Sequence, residues 1–242
     1  AGKSFYQWNV PAGIPPWIRT CRIVGEEGDL VEVFLVDDDK TLAYVANLAA
    51  IPIHVLAARV PHLERCDFLT IDFDVGLSSL REGVRLANDL RALLDALGLT
   101  GFPKTSGQSG LHVFVPLGGA SYETARFLAD VLGRLLVARR PDTATMERVR
   151  AKRGKRVYVD TGQTGPTRTI VAPYAVRAYA GARVSTPLTW DEVNEELDPG
   201  AFTIRTVPAR VAARGDAMAA LLETPVDVAA AVRKLEAMVR KP

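Results

Sequence analysis

Cysteine is nearly missing from this chain. Cys21 and Cys66 are the two examples in 242 residues, too few for a disulfide framework or a cysteine-based metal set, and such usage fits a reducing compartment. No uninterrupted apolar run is long enough to cross a bilayer, because the longest candidate, residues 42–60, is broken by Asn47, Pro52 and His54. No signal-peptide pattern opens the sequence as given, so a cytoplasmic location without a membrane partner is expected. Repeats and long linkers are also lacking, which leaves one domain over residues 1–242 as the expectation, with two closely packed lobes as its variant. Its 48% hydrophobic content is enough for a sizeable core. Neither sign of charge dominates: a formal net charge of +2 is too small to establish a polyanionic partner.

What is present begins with Phe68-Leu-Thr-Ile-Asp72-Phe-Asp74-Val75. Leu69, Ile71, Phe73 and Val75 alternate with Thr70, Asp72 and Asp74, the period of a strand with one face in a core and both acids on the other. Two carboxylates so placed repel each other unless a cation lies between them, and hard oxygen ligands select Mg²⁺ or Mn²⁺ over zinc. A solvated strand face with two surface acids is the alternative, and the spacing alone does not choose between them.

Lys104-Thr-Ser106-Gly107-Gln-Ser109-Gly110-Leu-His112 then runs into a second apolar strand. Gly107 and Gly110 would let backbone N–H groups approach a ligand, Ser106 offers a hydroxyl, and Lys104 and His112 supply positive or donor groups, an inventory suited to a polyphosphate. Read by itself, the segment is better taken as an ordinary glycine turn before a strand, with His112 a satisfied hydrogen-bonding residue. A third strand, residues 157–160, places Asp160 out of phase with its valines. It follows a basic stretch containing Arg139, Arg140, Arg148, Arg150, Lys152, Arg153, Lys155 and Arg156, which would meet a phosphate backbone or form a solvated face. Two acids, a phosphate-type loop and a third acid form the ordered set that a two-metal nucleotidyl transferase needs.

The remaining pattern is mixed α/β. Strands are expected at residues 20–24, 31–36, 68–75, 112–117, 157–160 and 169–172. Ser79 and Glu82 form a capping box for a helix with Val84, Ala87, Leu90, Leu94 and Leu97 inside and Gly98 as its stop. Ser121 caps another, with Phe127, Leu128, Val131, Leu132 and Leu135 inward, and two more helices are expected from Trp190 and from Met218 to Val239.

From about Phe5 to Ala212 the chain resembles the polymerase domain of bacterial ligase D, in the archaeo-eukaryotic primase superfamily. The resemblance is carried in order by Phe5-Tyr6-Gln7, Asn47-Leu48 with His54, Asp72-Phe-Asp74, Lys104-Thr-Ser-Gly with Gly110-Leu-His112, Asp160 with Gln163, Ala172-Pro-Tyr-Ala-Val-Arg177, and Val184-Ser185 through Trp190-Asp-Glu192. It implies an α/β primase-polymerase fold with two antiparallel-rich sheets flanking a cleft, and metal-dependent nucleotidyl transfer by a DNA polymerase or primase, with preference for ribonucleotides. Asp72, Asp74 and Asp160 would be the catalytic and metal-binding acids for Mn²⁺ or Mg²⁺ in a two-metal site. His54, Lys104, Ser106, Gly107, His112, Gln163 and Arg177 would bind the nucleotide, and Phe5 and Tyr6, with Trp8, would stack on DNA; an ordered hydrophobic edge is the alternative for the aromatic pair. Implied partners are gapped, overhanging or broken DNA ends, NTP or dNTP, and a separate ligase or end-binding protein in a bacterial, nucleoid-associated setting.

The chain departs from the family at Trp8, where a lysine is usual, at Ser109, where a basic residue is usual, and in a shorter run between His54 and Asp72. The sequence as given starts downstream of the family's 5′-phosphate-binding lysines, so little preference for a 5′-phosphate is expected. A DNA-end-binding module without catalysis and a metal-dependent phosphoesterase are the other readings. The three acids speak against the first, and the loop from Lys104 to His112 against the second.

Overall fold

The computed structural model describes residues 6–25 and 28–240, with side chains up to residue 238. Phe5 therefore lies outside the described residues. The chain divides into two compact units, residues 1–51 and 52–242. In the first, β1 (Thr20–Val24) pairs antiparallel with β2 (Leu30–Phe34), which registers the buried Ile23 against Val31. Helix α1 (Asp39–Asn47) follows, started by Asp38, whose carboxylate accepts from the Thr41 N–H at 2.6 Å. That bond holds the Asp38 carboxyl below its usual range.

The second unit is built on the alternation read at residues 68–75. Strand β4 (Arg65–Asp74) buries Leu69, Ile71 and Phe73 completely. It lies at the centre of a five-stranded sheet ordered β5 (Phe102–Thr105), β6 (Leu111–Ser121), β4, β8 (Val157–Asp160), β7 (Ala144–Thr145), antiparallel except at β7–β8. The opposite face of β4 is not a solvated one. Thr70 is buried, and Phe68 stacks on Phe114 of β6 with ring centroids 4.7 Å apart, so the two acids rise from a partly covered surface. A two-stranded sheet, β3 (His54–Leu56) with β9 (Thr169–Val171), carries His54 opposite Val171. The α/β class is as expected, with the two sheets of this unit unequal in size: five strands and two.

Helices α2 (Leu80–Leu97) and α3 (Tyr122–Arg139) cover the apolar face. The first starts at Ser79, whose hydroxyl accepts from Glu82 N, and stops at Gly98 in the left-handed conformation at φ 77°. Its Leu90 and Leu94 are fully buried, and burial of each such side chain stabilises the fold by about 1.5–3 kcal/mol. In α3 the buried stripe is Ala125, Leu128, Ala129, Leu132 and Leu136, while Phe127 is exposed and Val131 and Leu135 only flank the core. The sequence reading chose the bulkier neighbouring stripe; the small Ala125 and Ala129 face the sheet because they let the helix approach it closely.

The C-terminal region departs more. Trp190–Glu192 is a single 3-10 turn, and a helix not foreseen, α4 (Val207–Arg214), precedes α5, which runs Val228–Arg240 instead of beginning at Met218. Pro225 explains the late start, since the residue before a proline disfavours helical geometry and the proline lacks an N–H. Ala231 and Leu235 of α5 are completely buried, and Lys234 Nζ donates to the Leu97 carbonyl at 3.2 Å.

Candidate active site

Strand register assembles one row of polar side chains across four strands. Lys104 of β5 pairs with His112 of β6, His112 with Asp72 of β4, and Asp72 with Asp160 of β8. Residues directly opposite each other across strands have Cβ atoms about 4.5–5.5 Å apart, so the row passes from cationic to acidic within one face of the sheet. The acids converge for the same reason: Asp160 ends β8 where Asp72 and Asp74 end β4.

Burial, then Asp160, then Asp74 push the Asp72 carboxyl up to about 7, against the pull of Lys104 and Arg177. Its neighbours are held by donors. Asp160 accepts from Gln163 Nε2 at 2.7 Å and from Gly162 N at 2.8 Å. Asp74 accepts from Gly76 N at 3.1 Å and from Arg153 Nη1 at 3.2 Å. Arg153 is itself fixed by the Glu147 and Arg148 carbonyls, and its guanidinium lies 3.6 Å from the Tyr158 ring centroid. Among the described residues no three His, Cys, Asp or Glu side chains stand close enough to grip a metal ion as placed. The donor chemistry nevertheless suits one: three acids give hard oxygen ligands, and Asp72, whose carboxyl is raised first by burial, has Asp160 and Asp74 as charged neighbours.

The cationic end of the row is buried and short of partners. His112 is 4% exposed; its Nε2 lies 3.5 Å from Asp72 Oδ1, and its Nδ1 has no hydrogen-bond partner. Burial, then Lys104, Arg177 and His54, hold this imidazole well below its usual range. His54 is lowered to about 4 by burial, then by Arg177 and Lys104. Both rings are therefore neutral at physiological pH, each with one N–H to donate. Arg177 Nε is likewise buried without a hydrogen-bond partner. Lys104 has no exposed surface. Its ammonium donates to Ser185 Oγ and lies 5.6 Å from the Phe114 ring centroid, and burial lowers its pKa well below the ordinary value.

The loop after β5 closes on itself. Ser106 N donates to the Gly110 carbonyl at 2.9 Å, and Ser106 Oγ accepts from Gln108 N at 3.1 Å and Gly110 N at 3.0 Å. The Gly110 N–H read as a ligand donor is thus occupied within the loop, and this glycine is required for another reason: an added Cβ would stand 2.3 Å from the Phe73 carbonyl oxygen. At Gly107, φ is +70° and an added Cβ would stand 2.5 Å from Arg177 Cγ and 2.9 Å from Ser185 N. Gly107→Ala is therefore expected to lower stability by about 1–3 kcal/mol through strain and contact, measured by urea denaturation. Stability equal to the parent chain's would show that Arg177 is not packed over the loop.

The basic stretch before Asp160 does not form one patch. Arg139 and Arg140 turn to Asp89 of α2, Arg153 turns to Asp74, and Arg156 donates to the Arg153 and Lys152 carbonyls. Arg148, Arg150, Lys152 and Lys155 are exposed. Tyr6 and Trp8, in the first unit, are 56% and 37% exposed with ring centroids 5.6 Å apart. The sequence placed Arg153 only in the basic stretch expected to meet a phosphate backbone and Ser185 only in the family pattern, and it brought neither to this site. Nothing in the basic run separates Arg153 from its neighbours, and Ser185 lies 81 residues from the lysine it meets. Among the described residues no helix is long and apolar enough to cross a membrane.

A central sheet, antiparallel except at β7–β8, carries Asp72 and Asp160 in one row and Asp74 two residues further along β4, with a buried donor cradle beside them and helices behind. The chain matches the family model described as LigD, primase-polymerase domain, over residues 1–218 and belongs to that family. It is 30% identical over 216 residues to the bifunctional non-homologous end joining protein LigD of Bacillus subtilis, covering 88% of this chain and 34% of that protein. It is 28% identical over 197 residues to the multifunctional LigD of Mycolicibacterium smegmatis, covering 80% of this chain and 26% of that one. The chain thus spans a quarter to a third of these curated relatives. In structure it is similar to the polymerase domain of Mycobacterium tuberculosis ligase D in complex with DNA, with TM-score 0.85, 26% identity, and coverage of 93% of this chain and 81% of that one.

Proposed function

We propose that this domain is a template-dependent nucleotidyl transferase that extends the 3′ end of a strand at gapped, overhanging or broken DNA during end joining, preferring ribonucleotides. The observation that carries the reading is the row Lys104–His112–Asp72–Asp160, which sets a buried donor cradle directly beside an acidic pair. In the reaction the 3′-hydroxyl oxygen attacks the α-phosphorus of a nucleoside triphosphate and gives its proton up to solvent. One P–O bond forms, the bond to the β-phosphate bridging oxygen breaks, and pyrophosphate leaves.

Asp72, Asp74 and Asp160 would hold Mn²⁺ or Mg²⁺. When bound, such ions lower the hydroxyl's pKa and neutralise the charge that builds on attacking and leaving oxygens. The side chains divide the remaining work. Neutral His54 and His112 donate to phosphate oxygens without the cost of a buried charge, Arg177 adds a fixed positive charge, and Lys104, tied to Ser185 Oγ and the Thr105 carbonyl, anchors the strand that carries the loop. Gln163 orients Asp160. Arg153 competes with a cation for Asp74, so that ion pair must open for the full donor set to form.

The Arg153–Asp74 pair also favours a second reading, a DNA-end-binding module without catalysis, and one assay separates the two. Primer extension on gapped and overhanging DNA is expected with NTPs over dNTPs, and with Mn²⁺ at least as well as with Mg²⁺. DNA binding with no extension under any of these conditions would leave the binding module as the function.

A further inference from the structure

The triphosphate cradle lies on the β5–β6 side of Asp72. On the opposite side, beyond Asp160, a cavity of about 480 Å³ opens where β8 meets α3 and the segment after β7, lined by Arg134 and Arg148 and by the carboxylates of Asp130, Glu147 and Asp160 among others; Asp130 is paired with Arg134, and Glu147 accepts from Val149 N. The two cations in its wall differ in kind. Arg134 is already bound to Asp130 at 2.7 Å within α3. The Arg148 side chain is exposed and makes no hydrogen bond or ion pair among the described residues, while its backbone carbonyl is fixed by Arg153. An added Cβ on Gly162 would stand 3.2 Å from Asp160 Oδ1 and 4.0 Å from Arg148 Nη2, so the carboxylate and the guanidinium face the same small space.

In-line displacement requires the attacking and leaving oxygens to lie on opposite sides of the reacting phosphorus. A triphosphate held by His54, His112 and Arg177 directs its leaving pyrophosphate toward β6, so the attacking hydroxyl must arrive from the β8 side, where this cavity lies. We propose that the cavity beside Asp160 receives the terminal phosphodiester of the strand whose 3′-hydroxyl attacks, and that Arg148 holds that phosphate as a positioning residue. A guanidinium suits the role because its planar fork can meet two phosphate oxygens at once. The inference rests on the nucleotidyl-transfer reading, which assigns the triphosphate to the other flank.

The test is a pair of measurements on the full chain carrying Arg148→Ala, Arg148→Lys or, as a charge-matched control outside the cavity, Arg126→Ala on α3. Binding of a fluorescent 3′-recessed primer–template, without nucleotide and across a salt series, is expected to weaken about tenfold in Arg148→Ala, with the log–log salt slope reduced by about 0.7–0.9 for one lost phosphate contact. Arg148→Lys should recover the slope and part of the affinity, and Arg126→Ala should stay within twofold of the parent chain. In extension kinetics Arg148→Ala should raise the KM for primer and leave the KM for NTP within twofold. Unchanged primer affinity and slope would overturn the inference, as would a rise in NTP KM with primer binding intact. Failure of the parent chain to extend any primer would remove the nucleotidyl-transfer reading, while the titration still decides whether Arg148 holds a strand.

Discussion

Alanine at Asp72 or Asp74 is expected to lower nucleotide addition by about 10³-fold or more while leaving DNA affinity within about threefold. Cation-assisted stabilisation of the charge on attacking and leaving oxygens amounts to several kcal/mol, and each 1.36 kcal/mol is a factor of ten in rate. The two acids stand on the central strand of the sheet, and they repel a phosphate backbone, so their loss takes nothing from its binding. Single-turnover extension beside an anisotropy titration separates the two quantities. Extension that survives in either variant would remove the catalytic assignment. Loss of DNA binding in parallel would assign the acids to the architecture of the DNA site instead.

Metal-free protein should show the electrostatic cost of Asp72 as a pH-dependent stability. An unfolded aspartate titrates near 3.8, and burial with Asp160 and Asp74 pushes the folded value to about 7. The folded state therefore holds a proton that the unfolded state has released between these values, so the group's contribution is present below about pH 4 and is lost as pH rises toward 7. Asp72→Asn removes this loss. The variant is expected to match the parent chain at pH 4 and to exceed its stability at pH 8 by about 2–4 kcal/mol, read from denaturant unfolding in the presence of a chelator. His54, whose folded value is lowered to about 4, acts in the opposite sense and loses stability as pH falls below its unfolded value of 6.5; it is common to both proteins and cancels in the difference. A gap that stays constant from pH 4 to pH 8 would show that the Asp72 carboxyl is neither desolvated nor crowded by Asp160 and Asp74.

Much of the site was legible in the chain because its local rules are strict. A period of two put Asp72 and Asp74 on one face of β4, and the Ser79 and Gly98 signals bounded α2 correctly. Where several stripes satisfied the same helical period, as in α3, the pattern did not show which one meets the sheet, since that choice is made by closeness of approach. The basic stretch failed as a unit for a related reason. Partners such as Asp89 and Asp74 are distant in sequence, and a run of arginines looks alike until its partners are present.

The sequence by itself determined the strand alternation that carries the two acids, the helix starts at Ser79 and Ser121, the α/β class and the family. These follow from interactions within a few residues and from residue types kept in order along the chain. Tertiary structure alone decided that Lys104, His112, Asp72 and Asp160 share one transverse row, that His112 and Lys104 lose their solvent, and that Gly110 must be bare against Phe73. It also turned Arg153 onto Asp74 and left Arg148 facing open space beside Asp160. Register, burial and charge pairing are properties of groups brought together from distant parts of the chain, and their energies exist only once the sheet has formed.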